Sequence, residues 1–96
     1  FSRFPGVARD LSILAPVAEP AQDIVAFARE AAGTTARRVE LIGRFEGSGV
    51  PEGQVSLTLS FLFQDDARTL ASEEVEKAMD AVRAAFAERG FSPRGV

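Results

Sequence analysis

The chain has 96 residues, of which 46% are hydrophobic and 26% charged, as expected for one soluble globular domain near the lower size limit for a self-sufficient core. It contains no cysteine and no histidine, which excludes disulfides, thiol chemistry, zinc sites built on those residues and Ser-His-Asp triads. The net charge of −3 argues against nucleic-acid binding by bulk electrostatics, because such domains are usually basic.

The first half of the chain begins with a strand pattern and a helix pattern. Residues 9–15 alternate between apolar and polar side chains, which predicts a strand. Pro20 suits the first turn of a helix, and Gly33 suits its C-terminal end. Between them, apolar residues recur at helical spacings of three and four: Ile24, Phe27, Ala28 and Ala31.

Two further strands surround a loop rich in glycine. Residues 36–46 alternate as a second strand, the loop "EGSGVPEG" (46–53) follows, and residues 54–63 alternate as a third strand. The third strand places apolar side chains on one face and small hydroxyls on the other: Val55, Leu57, Leu59 and Phe61 against Ser56, Thr58 and Ser60. One face of the sheet is therefore apolar and the other polar.

A second helix and a short strand complete the chain. Ser72 is a suitable N-cap, Gly90 a suitable end, and residues 91–94 can add a last strand. The resulting order βαββαβ predicts an α+β, ferredoxin-like two-layer sandwich: a four-stranded antiparallel sheet with both helices on one face. We expect residues 1–96 to form this single domain and, because the chain starts at Phe1, to be part of a longer protein. The hydroxyl row is predicted to lie on the uncovered face.

The sequence offers no convincing active site. The acidic pairs 65–66 and 73–74 fit loop and helix-cap chemistry better than acid/base catalysis, because adjacent helical residues do not face each other. The loop glycines lack the spacing and the Lys-Ser/Thr of a phosphate loop. The pairs Arg9-Asp10 and Arg68-Thr69 stand where elements begin. We interpret them as structural ion pairs and caps, and phosphate binding is the alternative.

Four segments carry a resemblance to a known family: "FPGVARDLS" (4–12), "PEGQVSLTLSF" (51–61), "RTLASEEV" (68–75) and "FSPRG" (91–95). Together they resemble the C-terminal, ferredoxin-fold anticodon-binding domain of bacterial phenylalanyl-tRNA synthetase beta chains, and the resemblance spans the whole chain. It implies a non-catalytic module whose open sheet face holds the anticodon loop of phenylalanine tRNA. It also implies an alpha chain as partner in an (αβ)2 heterotetramer. The absence of cysteine and of an apolar run of about 20 residues predicts a cytoplasmic protein without membrane contact. No cofactor is expected in this domain, and ATP and magnesium are expected to act in the alpha chain.

The resemblance also implies site residues. The family strand reads Leu-Phe-Asp-x-Tyr-x-Gly where this chain has residues 41–47, "LIGRFEG". Phe45 stands at the tyrosine that stacks on the first anticodon base, and Ser56 at the serine that hydrogen-bonds to it. Gly43 replaces the aspartate that faces the edge of guanine. Phenylalanine keeps the stacking face, whereas glycine removes a charged acceptor, so base discrimination is expected to suffer more than affinity.

Two points about this strand stay open from the sequence. Strict alternation buries Phe45, whereas the resemblance exposes it; a bulge at Gly43 reconciles the two, and we favour exposure. Arg37, Arg38 and Arg44 cluster on the same strand and are candidate phosphate contacts. Two other functions remain possible: a ferredoxin-like regulatory domain that binds a small molecule near the helix–strand loops, and a structural module that no longer reads bases.

Overall fold

The computed structural model describes residues 4–93. Its elements follow in the predicted order: β1 (Val7–Pro16), α1 (Ala21–Ala32), β2 (Ala36–Phe45), β3 (Gln54–Phe63), α2 (Ser72–Glu88) and β4 (Ser92–Pro93). The bounds of β3 are those predicted, whereas β1 extends beyond the predicted strand at both ends. Within the part of the chain that the structure describes, no helix combines the length and the apolar character needed to cross a membrane.

The strands form one antiparallel sheet in the order β2-β3-β1-β4. β1 pairs with β3 along its whole length, from Val7 opposite Phe63 to Pro16 opposite Gln54. The α+β ferredoxin-like arrangement with two helices is thus confirmed, but the sheet has only three long strands. Within the described residues, the fourth strand comprises only Ser92 and Pro93, which pair with Leu14 and Ile13 of β1. Arg94, the predicted end of that strand, lies outside the described residues.

Both helices pack on the same face of the sheet and share one core. The core brings together inward-facing residues of the long strands and the apolar stripes of both helices, including Ile13, Leu59, Phe61, Ile24, Ala28, Met79 and Val82. Phe86 of α2 is buried in this core, with its ring centroid 5.3 Å from that of Phe27 and 5.8 Å from that of Phe91. Because the helices cover this side, the opposite side of the sheet is left open.

The start of α2 is fixed by an ion pair rather than by Ser72. The cap position is Ala71 and Ser72 is the first helical residue, so the predicted N-cap is wrong by one position. The carboxylate of Glu74 accepts the Ala71 N–H at 3.0 Å and two guanidinium N–H groups of Arg68 at 2.7 and 2.6 Å. Arg9 likewise binds Glu76 of α2 at 2.7 Å. Arg9 and Arg68 thus form ion pairs with α2, as the structural interpretation expects, but on the exposed surface of the domain.

Candidate nucleic-acid interface on the open face of the sheet

We call the sheet surface opposite the helices the open face. Side chains alternate between the two sides along each strand, and the contact of Arg9 with α2 shows which set points toward the helices. The other set, read through the strand register, forms the open face: Asp10, Ser12 and Leu14 from β1, Arg38, Glu40, Gly43 and Phe45 from β2, and Ser56, Thr58, Ser60 and Leu62 from β3.

A β-bulge at Ile42 decides which side Phe45 faces. Leu41 lies opposite Leu59 and Gly43 lies opposite Thr58, so β2 uses one more residue here than β3. The extra residue reverses the alternation, and Phe45 falls opposite Ser56 on the open face. Its side chain is 44% exposed. The predicted exposure of Phe45 is thus confirmed.

Ser56 is adjacent to Phe45 but is not an open hydroxyl. The two residues are direct partners in the ladder, as the predicted site requires. Ser56 nevertheless has only 3% of its surface exposed, and its ladder partners on either side are Phe45 and Leu14. A ligand can reach its hydroxyl only if the neighbouring side chains move.

Gly43 leaves a gap on the open face above a pair of hydroxyls. A Cβ atom built on Gly43 would lie 3.5 Å from the Cβ of Thr58 and 3.6 Å from its Oγ1. Thr58 Oγ1 is itself 2.8 Å from Ser12 Oγ. The sequence analysis placed Thr58 on this face but missed Ser12. Its polar position within β1 was a signal, but the pairing of β1 with β3 was needed to bring the two hydroxyls together.

The three candidate arginines do not form one cluster. Arg38 lies on the open face, with its guanidinium 3.4 Å from the carboxylate of Glu40. Arg37 is the extra residue of a second bulge, and its guanidinium binds the carboxylate of Asp66 at 2.9 Å. Arg44 lies opposite Leu57, on the side of the helices. All three arginines lie on β2, as expected, but alternation combined with two bulges points their side chains in different directions.

Arg44 instead contributes to a cavity of about 280 Å³ beneath the β1–α1 connection. The cavity is lined by Val17, Ala18, Glu19, Pro20, Ala21, Arg44, Val55 and Leu57. The guanidinium of Arg44 lies 3.1 Å from the carboxylate of Glu46. The side chain of Arg44 therefore lies on the side of the sheet opposite the ring of Phe45.

Comparison with known proteins identifies the domain. The family model described as "Ferredoxin-fold anticodon binding domain" matches residues 2–94. The chain belongs to this family. Phenylalanine–tRNA ligase beta subunits of Moorella thermoacetica and Thermotoga maritima are 40% and 37% identical to it, over 91% and 96% of this chain but only 11% and 12% of their own length. The beta subunit of a Synechococcus species is 40% identical over 88% of this chain and 10% of its own length.

The open face of this anticodon-binding domain has an uncharged end and a charged end. Phe45, Ser56, Gly43, Thr58 and Ser12 occupy successive rungs of the ladder at one end. At the next rung, the carboxylates of Glu40 and Asp10 lie on either side of Ser60. Carboxylates repel phosphates, so the uncharged end suits the faces and edges of bases rather than the backbone of RNA.

Most described arginines of the domain are already paired with carboxylates. Seven of them have a carboxylate oxygen within 4.0 Å: Arg9, Arg37, Arg38, Arg44, Arg68, Arg83 and Arg89. Arg29 donates to the carbonyl of Val39 at 3.3 Å. Because these cations are locally neutralised, base contacts rather than phosphate attraction are expected to carry recognition by this surface.

Proposed function

We propose that this domain binds the anticodon loop of phenylalanine tRNA and stacks the first anticodon base on Phe45. The observation that carries the proposal is an aromatic ring held on the uncovered, uncharged end of a sheet. Rings in such positions are platforms for unpaired bases, and each stacked base contributes about 1–3 kcal/mol to binding. Membership of the anticodon-binding family supports RNA as the ligand.

Around Phe45 we assign supporting roles to the remaining candidate residues. Ser56 and Gly43 flank the stacking position on the same face, and Arg38 lies further along it. Arg37 and Arg44 are proposed phosphate contacts from the edge and from the helix side of β2. Each arginine would have to exchange its carboxylate partner for a phosphate, so we expect their contributions to be smaller than that of Phe45.

The names of the relatives support a role for the domain within a larger enzyme. Since they are named phenylalanine–tRNA ligase beta subunits, we propose that the domain positions tRNA for aminoacylation by an alpha chain in an (αβ)2 heterotetramer in the cytoplasm. ATP and magnesium would act in that alpha chain. Because the chain belongs to the anticodon-binding family, we assign this domain a binding role.

The proposal is tested by measuring the affinity of the 96-residue chain for an anticodon stem-loop of phenylalanine tRNA. We expect Phe45→Ala to weaken binding by about 5- to 150-fold, the loss of one stacked base. Val17→Ala is the matched control, because Val17 is equally exposed, at 45% against 44%, but lines the cavity on the helix side. Equal affinities of wild type and Phe45→Ala would overturn the proposal.

The small-molecule alternative can be tested at the cavity beneath the β1–α1 connection. The cavity lies near a helix–strand loop, where that alternative expects its ligand. A regulatory domain of this kind would lose ligand binding in Val17→Ala and would show no dependence on Phe45. The same pair of variants therefore separates the two functions.

A further inference from the structure

We propose that the hydroxyl pair of Ser12 and Thr58, uncovered by Gly43, reads the edge of the base that stacks on Phe45. Ser56 would then support the ring without contacting the base. Because the pair is neutral and can either donate or accept, it would bind guanine and adenine with similar affinity. This inference rests on the proposed function and names the specificity of the same site.

The hydroxyl pair lies where the edge of a stacked base would fall. Phe45 and Gly43 are next to each other on the open face, about 6.6–7 Å apart along β2. Thr58 lies across from Gly43, and Ser12 lies across from Thr58 on the following strand, at strand spacings of about 4.8 Å. A base that stacks on the ring and extends diagonally, along β2 past Gly43 and across toward β1, therefore ends above the two hydroxyls.

Gly43 is what keeps this path open. A Cβ at position 43 would be in van der Waals contact with Thr58, 3.5 Å from its Cβ, and a longer side chain would cover Thr58 Oγ1. The backbone of Gly43 does not have a positive φ, so its conformation does not require glycine. The absent side chain therefore matters for what it uncovers rather than for how the strand bends.

Accessibility favours the pair over Ser56. Ser12 and Thr58 are both half-buried, and their hydroxyls bond each other at 2.8 Å. Ser56 has only 3% of its surface exposed. A base can use the pair without moving neighbouring side chains, whereas contact with Ser56 requires such a movement.

The chemistry of hydroxyls explains why either purine would be accepted. Either member of the pair can be the donor, and each hydroxyl carries one O–H and two acceptor lone pairs. By rotating their O–H bonds, the two hydroxyls can donate to a base edge that carries an acceptor, or accept from a base edge that carries a donor. A carboxylate in the same place would only accept, and would select the N–H edge of guanine.

The experiment compares anticodon stem-loops that differ only in guanine or adenine at the first anticodon position. Wild-type chain is expected to bind the two within about threefold. Thr58→Val is expected to weaken both by about fivefold, the effect of one neutral hydrogen bond, and Ser12→Ala to act in the same direction. Gly43→Asp is expected to favour guanine by about tenfold or more.

Ser60→Ala serves as the control, and thermal unfolding checks that every variant is folded. It removes a half-buried hydroxyl of the same strand and face and is expected to bind as wild type. Wild-type binding by Thr58→Val and Ser12→Ala would overturn the inference, as would an equal loss of binding in Ser60→Ala.

The Phe45→Ala variant separates failure of the inference from failure of the proposed function. If Phe45→Ala weakens binding while the hydroxyl variants do not, the domain binds the anticodon but the hydroxyl pair does not read it. If Phe45→Ala also binds as wild type, the open face is not the RNA surface and both proposals fall.

Discussion

Phe45 and Ser56 are direct partners across β2 and β3, on the side of the sheet that the helices leave uncovered. Their pairing depends on one extra residue, Ile42, in the bulge that precedes them. Without that reversal of alternation, Phe45 would point toward α1 and α2 and Arg44 would point away from them. The bulge thus exposes the ring of Phe45 on the open face and turns the charged side chain of Arg44 away from it.

Phe45→Trp is predicted to report directly on this surface. The chain contains no tryptophan and no tyrosine, so the indole at position 45 would be the only tryptophan of the variant, and no tyrosine emission would overlap its signal. Because Phe45 is exposed on the open face, we expect a red-shifted emission that acrylamide quenches readily. Adding an anticodon stem-loop should quench the indole further as a base stacks on it and protect it from acrylamide.

Val17→Trp provides the control for this fluorescence experiment. Val17 is as exposed as Phe45 but lines the cavity on the helix side of the sheet. Its indole should respond to acrylamide in the free domain and remain unchanged when RNA is added. A blue-shifted indole at position 45, or an equal response to RNA at both positions, would contradict the assigned orientation.

Particular residues show how far the sequence alone could lead. The alternation of β3 was strong enough to predict its bounds and the hydroxyl face, because one side of that strand is continuously apolar. The orientation of Phe45 could not follow from β2, since a bulge at Ile42 is a property of pairing with β3. The same holds for the contact between Ser12 and Thr58, whose positions are 46 residues apart. The directions of Arg37, Arg38 and Arg44 could not be predicted either, because residues that are close together in a strand point to opposite sides of the sheet.

Phe86→Ala is predicted to cost far more stability than Phe45→Ala. Phe86 is 1% exposed and packs against the rings of Phe27 and Phe91, so truncation leaves a cavity that both helices must bridge. We expect the free energy of unfolding to fall by about 3–5 kcal/mol, against less than about 1.5 kcal/mol for the half-exposed Phe45. Denaturant titrations of the three proteins measure both values, and equal losses would contradict the burial assigned to the two rings.

Glu40→Gln is predicted to strengthen RNA binding at low ionic strength. Glu40 neutralises Arg38 across 3.4 Å and adds negative charge beside the uncharged end of the open face. Removing that charge frees Arg38 for a phosphate, and we expect affinity for the stem-loop to rise by about two- to fivefold in low salt and to approach wild type in high salt.

Glu88→Gln is the matched control for this change, since it alters the net charge equally but at the end of α2, on the helix side of the sheet. If both variants raise affinity to the same extent, the effect reflects total charge and not the position of Glu40. If neither does, Arg38 is not close enough to the bound RNA to contribute.

The Arg68–Glu74 pair is predicted to make the stability of the domain depend on pH in the acid range. The hydrogen bonds from Arg68, followed by that from the Ala71 N–H, lower the pKa of Glu74 from 4.5 to about 2. A carboxyl group with a depressed pKa in the folded state stabilises fully above its unfolded pKa and loses that contribution as pH falls through the folded value. Stability should therefore decline between about pH 4.5 and pH 2 through this group.

Glu74→Gln removes the titrating group while keeping an oxygen that can accept the Ala71 N–H. We expect the variant to be less stable than wild type above pH 4.5, and the difference to shrink as pH falls toward 2. Thermal unfolding at a series of pH values measures this convergence. Glu73→Gln removes an adjacent carboxylate of the same helical turn but leaves the Arg68–Glu74 pair intact, so it should keep the wild-type slope. A constant difference between wild type and Glu74→Gln across this range would show that the charge of Glu74 does not anchor the start of α2.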